Sequence, residues 1–87
     1  MIDIINYLKS EGIDAVVESS KTGRGYRVIF DAMNRRINIM CKSSTTLTEF
    51  KEEVNNQHRE HLEAQKRIHK GSYLYYEKRL NNNESIF

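Results

Sequence analysis

The hydrophobic period of this chain changes twice, and these changes constrain its fold more than any other feature. Apolar residues recur at helical spacing in the first ten residues, and they then alternate with polar residues in three segments between residues 13 and 42. A helical period returns from Leu47 onward. Because alternation sends successive side chains to opposite sides of a strand, the middle of the chain predicts a sheet with one apolar face.

Short turns divide the alternating region into three strands. The first connection, residues 19–25, is rich in serine and glycine, and the second lies near Met33 and Asn34, where Asn34 tolerates a positive φ. Two hairpins in succession predict a three-stranded antiparallel meander. The side chains expected on its apolar face are Ala15, Val17, Tyr26, Val28, Phe30, Ile37, Ile39 and Cys41.

Helical segments flank the predicted sheet. The first helix is expected to end at Gly12, and the Thr-Leu-Thr-Glu sequence at residues 46–49 fits a capping box that begins a long helix over residues 47–70. A break at Gly71 precedes a short last helix over residues 73–80. The sequence therefore predicts an α+β fold in the order α-β-β-β-α-α, a three-stranded antiparallel sheet with an N-terminal helix and C-terminal helices.

The length of the chain allows one modest core. For 87 residues, about 64% of the surface of the unfolded chain is buried on folding. We expect residues 1–80 to form a single domain and residues 81–87 to form a frayed tail. No apolar run approaches the roughly 18 residues of a membrane helix, and the N-terminus lacks the features of a signal peptide. We therefore expect a cytoplasmic protein, located in the host cytoplasm if its source is a virus.

The long helix predicted over residues 47–70 has consequences for assembly. It would extend about 36 Å, which is more than a three-stranded sheet covers. We expect its second half to expose His61, Leu62 and Ile68, so that either the last helix or a second copy of the chain must cover them. We favour a homodimer.

The histidines and acidic residues do not form a recognisable catalytic site. His58 and His61 are three residues apart, whereas a helical zinc pair needs a spacing of four, and no third ligand lies nearby. Asp31 followed by Glu49 and Lys51 resembles the short pattern of metal-dependent nucleases, but Glu49 also fits the capping box. We expect no enzyme activity, no metal and no cofactor.

Charge is distributed along the chain in blocks, although the net charge is only +2. Residues 21–42 contain six cations and one acid, and parity places several of these cations on the open face of the sheet. We name this set the sheet-face surface and expect it to bind phosphates or an acidic partner: Lys21, Arg24, Arg27, Arg36 and Lys42. The alternative is a solvated face on which Asp31 pairs with Arg36 across the strands.

A second basic block lies near the C-terminus. Residues 66–79 contain five cations and one acid, and tyrosines lie between them. Aromatic side chains beside cations suit base stacking or a protein interface, although packing of one or two tyrosines explains them equally well. This second candidate, the C-terminal surface, consists of Lys66, Arg67, Lys70, Tyr73, Tyr75, Tyr76, Lys78 and Arg79.

The order of elements resembles that of two known families. Over residues 2–70 it is similar to the double-stranded-RNA-binding domain, in which Lys21 and Arg24 would occupy the contact loop. That family has a basic opening to its last helix, whereas residues 47–53 here are acidic. With the final helix included, order and size resemble a small anti-CRISPR protein, and this implies an inhibitor from a phage or mobile element. The inhibitor is acidic and mimics DNA, so only its class carries over to this slightly basic chain.

These observations favour a non-enzymatic binding protein of phage or mobile-element type. Its expected target is a nucleic acid or a protein complex that handles nucleic acid, and inhibition of host defence would fit this role. The alternative is a DNA- or RNA-binding regulator that uses the sheet-face surface. A small metal-dependent nuclease is a third possibility.

Overall fold

The computed structural model describes residues 2–19 and 23–87. The predicted α+β order is confirmed. The elements are α1 (Ile2–Ser10), β1 (Val16–Ser19), β2 (Tyr26–Ala32), β3 (Arg35–Cys41), α2 (Leu47–Ile68), a 3₁₀ turn (Lys70–Ser72) and α3 (Tyr73–Asn81). By its internal contacts the chain forms two units, Met1–Glu53 and Val54–Phe87, and α2 contributes residues to both.

The three strands form an antiparallel sheet in the order β1-β2-β3. Val17 is the partner of Val28, and Phe30 is the partner of Ile37, so apolar residues of neighbouring strands share one face. The expected apolar face is confirmed in β2 and β3, where the buried side chains are Tyr26, Val28, Phe30, Ile37, Ile39 and Cys41. Val17 and Ala15 are only half-buried, and β1 begins at Val16.

The connection between β2 and β3 is a two-residue turn. Met33 and Asn34 both have positive φ, at 53° and 59°. Two consecutive positive φ values define a type I′ turn, which matches the right-handed twist of the strands that it joins. Asn34 suits this conformation, whereas Met33 adopts it without a side chain that favours it.

The first helix ends in a Schellman motif at Gly12. The N–H of Ile13 donates to the Leu8 carbonyl over 2.9 Å, and the N–H of Gly12 donates to the Lys9 carbonyl over 3.0 Å. Gly12 has a φ of +72°, which an L side chain rarely adopts. A helix of nine residues is not stable alone in water, and burial of Ile4 and Leu8 supplies the missing stabilisation.

The start of α2 confirms the capping box. The Thr46 N–H donates to Glu49 Oε1 over 3.2 Å, and the Glu49 N–H donates to Thr46 Oγ1 over 3.2 Å. One turn later, Phe50 is fully buried, and its ring centroid lies 6.1 Å from that of Phe30. The cap therefore sets the start of α2 so that its first buried residue, Phe50, packs on the sheet.

Gly25, which precedes β2, lies so close to the end of β3 that a side chain there tests the structure. A Cβ at Gly25 would lie 2.6 Å from the Cys41 carbonyl oxygen, which belongs to rigid strand backbone. We expect Gly25→Ala to lower the free energy of unfolding by about 1–3 kcal/mol in urea denaturation. Gly71→Ala is the matched control, because its Cβ would meet no atom within 4 Å. Equal stability of the two variants would contradict the close approach at Gly25.

Candidate functional site

Two members of the sheet-face surface, Arg27 and Arg36, lie on the exposed side of the sheet, and acidic residues lie opposite both of them. Arg36 pairs with Asp31 across β2 and β3, with Nε 3.4 Å from Oδ1, and the two side chains are 75% and 72% exposed. Glu18 is the register partner of Arg27. The cross-strand pair predicted from parity is therefore formed, and such an exposed pair contributes little to stability.

A shallow cavity of about 220 Å³ lies on this face. Its lining includes three carboxylates, from Asp14, Glu18 and Asp31, and one guanidinium, from Arg36. Three acids against one cation make the cavity unfavourable for a phosphate.

The other members of the sheet-face surface are dispersed. Arg27 is exposed, and its Nε lies 3.4 Å from the sulfur of Met40 on β3. Arg24 is exposed in the bend before β2, and Lys42 is exposed in the turn after β3, where its N–H donates to Thr45 Oγ1. Lys21 lies outside the described residues. The structure thus places Arg27 and Arg36 on one face and leaves Arg24 and Lys42 in the turns.

The C-terminal surface divides between opposite sides of α3. Successive residues of a helix are rotated by about 100°, so Tyr73 and Tyr75 point in nearly opposite directions. They are 43% and 58% exposed. The predicted aromatic and basic cluster is therefore two sites rather than one.

One side of α3 faces an open cleft of about 440 Å³. The Lys66 Nζ lies 4.6 Å from the centroid of the Tyr73 ring, a cation–π contact. The residues that line the cleft are Glu63, Lys66, Arg67, Tyr73 and Leu80. Two cations and an aromatic ring thus share a concave surface.

The opposite side of α3 is a packed and ion-paired cluster. The Arg79 guanidinium lies 5.4 Å from the Tyr75 ring centroid and makes two hydrogen bonds with the Glu84 carboxylate. Tyr76 is half-buried, with its ring centroid 5.1 Å from that of Tyr75 and 6.3 Å from that of His69. Arg79 and Tyr76 therefore have structural partners, as the packing alternative for these tyrosines anticipated.

The C-terminal tail returns along α2, which differs from the frayed tail that we expected. The Asn55 Oδ1 accepts hydrogen bonds from the N–H groups of Ile86 and Phe87, over 2.9 and 3.1 Å. The Asn55 Nδ2 donates to the Phe87 carbonyl over 3.0 Å. One turn further along α2, Arg59 Nη2 donates to Asn83 Oδ1 over 3.2 Å.

A buried histidine connects this tail to α2. His58 is 1% exposed, and its Nε2 lies 3.0 Å from Glu84 Oε1, so this nitrogen donates to the carboxylate. Its Nδ1 is buried and has no hydrogen-bond partner among the residues that the structure describes. No local pattern predicted that His58 is buried, because its partner lies 26 residues away along the chain.

The expected exposure of the second half of α2 needs correction. Leu62 was expected to be exposed, but it is 1% exposed, whereas Ile68 is 68% exposed as predicted. The buried positions of α2 are Phe50, Val54, His58 and Leu62, each four residues after the last. Of the three residues expected to be exposed, Ile68 is exposed, His61 is half-buried and Leu62 is buried, so the homodimer stays a prediction that Ile68 supports.

The Glu84 carboxylate of this network has a strongly lowered pKa. Hydrogen bonds from Arg79 lower the pKa of Glu84 to about 2 from its ordinary value of 4.5, with a further contribution from His58. The same contact raises the pKa of Arg79. The folded state thus holds Glu84 as a carboxylate far below neutral pH.

The residues considered for chemistry have structural roles. Glu49 belongs to the helix cap and Asp31 to an ion pair with Arg36. Burial raises the pKa of the Cys41 thiol, which disfavours the reactive thiolate. Among residues 2–19 and 23–87, no three His, Cys, Asp or Glu side chains converge to hold a metal ion.

Comparison of the chain with protein families, with curated proteins and with solved structures found no match. Within the described part of the chain, no helix has the length and apolar character needed to cross a membrane.

Three of the five residues that line the cleft belong to the C-terminal surface predicted from the sequence. The other two, Glu63 and Leu80, were not predicted as site residues. Their spacing held a usable signal, because Glu63 precedes Arg67 by four residues and Leu80 follows Tyr73 by seven, so each pair shares one side of its helix.

The tail network predicts a pH-dependent stability. We expect Glu84→Gln to lower the free energy of unfolding by about 1.5–3 kcal/mol at neutral pH, because it removes a charged acceptor from Arg79 and His58. The folded pKa of Glu84 is depressed, so its contribution is complete above the ordinary pKa of 4.5 and is lost as the pH falls toward about 2. Thermal denaturation at several pH values, followed by circular dichroism, measures this difference.

The matched control for this experiment is Glu77→Gln, which makes the same change of charge on α3. We expect it to alter stability by less than about 0.5 kcal/mol. A stability deficit of Glu84→Gln that stays constant between neutral pH and pH 2 would contradict the assignment.

Proposed function

We propose that this protein is a non-enzymatic nucleic-acid-binding protein that contacts phosphates through its C-terminal surface. One observation carries the proposal. Arg67, Lys70 and Lys78 are exposed, form no ion pair within the described residues and belong to one short segment that also carries exposed tyrosines. On the sheet face, by contrast, Arg36 is paired with Asp31 and no exposed tyrosine is described. When such cations neutralise phosphates, the nucleic acid releases counterions that were condensed on its backbone, and this release favours binding.

The aromatic side chains near these cations support the same function. Tyr73 and Tyr75 are substantially exposed although a tyrosine in a folded protein is commonly covered. Exposed aromatic rings beside cations are the combination that nucleic-acid-binding surfaces use, because bases stack on the rings while cations hold the phosphates. A solvated charged face would not require exposed tyrosines.

A protein complex that handles nucleic acid is the second candidate target. Leu74 is 77% exposed and Ile68 is 68% exposed, and exposed apolar residues beside cations also suit an acidic protein surface. In this form the protein would be an inhibitor of host defence from a phage or mobile element, acting in the host cytoplasm. A homodimer through Ile68 belongs to the same proposal.

The test is a charge reversal with a matched control. We expect Arg67→Glu, Lys70→Glu and Lys78→Glu together to abolish binding of a fluorescein-labelled oligonucleotide, measured by fluorescence anisotropy. For three phosphate contacts, the logarithm of the wild-type association constant should fall with the logarithm of salt concentration with a slope of about −2 to −3. The control combines Arg24→Glu, Arg27→Glu and Arg36→Glu, which changes the net charge equally, and it should bind like the wild type.

Three other results would assign the function differently. Loss of binding in the control variant alone would favour the regulator that uses the sheet-face surface. Absence of oligonucleotide binding by the wild-type protein, together with a protein complex that survives nuclease treatment, would favour the inhibitor. Cleavage of the oligonucleotide in Mg²⁺, Mn²⁺ or Zn²⁺ that Glu49→Ala removes would contradict a non-enzymatic function.

A further inference from the structure

The cleft beside α3 has the chemistry of a site for one nucleotide. We propose that it binds a single unpaired nucleotide of a single-stranded nucleic acid, with the base against Tyr73 and Leu80 and the phosphate at Lys66 and Arg67. This inference rests on the proposed function, because it names the form of nucleic acid that the C-terminal surface recognises. It goes further in assigning the base and the phosphate to separate residues.

The lining of the cleft separates an apolar part from a charged part. Tyr73 and Leu80 come from α3 and provide an aromatic and an aliphatic surface. Lys66 and Arg67 come from α2 and provide an ammonium and a guanidinium, the groups that proteins use for phosphate. Glu63 is the acid of the cleft, and its carboxylate accepts hydrogen bonds from base N–H groups while it repels phosphate.

The size and accessibility of the cleft fit one nucleotide. Its volume of about 440 Å³ lies near the lower end of small-molecule sites, which span roughly 300–1,000 Å³. Tyr73 is 43% exposed, so its ring keeps surface for a base even though the Lys66 ammonium lies 4.6 Å from its centroid. Lys66 already lies beside the ring, so a phosphate attached to a stacked base would be within reach of its flexible side chain.

This geometry favours a single strand over a duplex. In a duplex each base is stacked on both faces and paired along its edge, so an aromatic side chain in a cleft has no free base to contact. In a single strand an unstacked base is free to enter, and the rest of the strand can follow the exposed cations Lys70 and Lys78. The concave surface therefore selects the unpaired form.

The position of Tyr75 provides an internal control. It is more exposed than Tyr73, but it lies on the opposite side of α3, where its ring contacts Arg79. Both tyrosines belong to the same helix and the same basic segment. A general electrostatic attraction treats them alike, whereas a nucleotide in the cleft depends on Tyr73 alone.

The chain also offers a direct spectroscopic readout, because it contains five tyrosines and no tryptophan. Stacking of a base on Tyr73 should quench part of the tyrosine fluorescence. The probes are an unlabelled single-stranded oligodeoxynucleotide of about twelve nucleotides, the blunt duplex of the same sequence, and adenosine monophosphate. Each is titrated into the full-length protein at one fixed salt concentration.

We expect the single strand to quench tyrosine fluorescence and to bind at least about tenfold more tightly than the duplex. Tyr73→Leu should weaken single-strand binding about tenfold and remove the quenching, Tyr73→Phe should retain the affinity, and Tyr75→Leu should bind like the wild type. Circular dichroism of each variant checks that the fold is retained. Adenosine monophosphate should bind far more weakly than the strand, because it lacks the flanking phosphates.

Several outcomes would overturn the inference. Equal affinity for single strand and duplex, unchanged binding by Tyr73→Leu, or equal losses in Tyr73→Leu and Tyr75→Leu would each do so. Binding of adenosine monophosphate as tight as that of the strand would make a free nucleotide the ligand and would also overturn it. In all these cases the charge-reversal experiment still decides the proposed function, because two of its three positions, Lys70 and Lys78, lie outside the lining of the cleft.

Discussion

Burial of the His58 imidazole is the constraint on which the C-terminal part of this protein depends. A buried imidazole is costly unless it is hydrogen-bonded, and Glu84 supplies that bond over 3.0 Å. Glu84 can do so only if the residues after α3 return to α2. The same carboxylate holds Arg79, which is part of α3. One buried polar group therefore orders the tail and orients the helix that carries Tyr73.

The fold was largely predictable because its signals are local. The change of period at Gly12, the capping box of Thr46 and Glu49 and the alternation of β2 and β3 each lie within a few residues. The network of His58 was not predictable in this way. In the sequence, His58 interrupts the apolar stripe of α2. The Glu84 carboxylate that compensates for burial of the imidazole lies 26 residues further along the chain.

The two candidate surfaces show the same difference between local and non-local information. Counting charges along residues 21–42 finds one acid, Asp31, but the neighbouring strand places Glu18 opposite Arg27. The net charge of residues 21–42 is therefore more positive than the net charge of the sheet face on which some of these residues lie. Glu84 lies outside residues 66–79 in the sequence, but its carboxylate pairs with Arg79. Arg67 and Lys78 form no ion pair within the described residues. The cleft could be predicted only in part, because it needs two helices whose relative position no local pattern encodes.

The way in which Asn55 holds the tail has a consequence for how this chain can vary. Within the described residues, its amide oxygen and nitrogen bond to main-chain groups of Ile86 and Phe87, so these contacts depend on the path of the tail backbone and not on the identity of its side chains. Substitutions at these two positions preserve all three hydrogen bonds unless they introduce proline, which removes the donor. Asn55 itself has less latitude, because its amide accepts two hydrogen bonds at one atom and donates a third from another, which neither a carboxylate nor a single hydroxyl oxygen reproduces. Among related sequences the asparagine would be invariant while the residues that it holds drift.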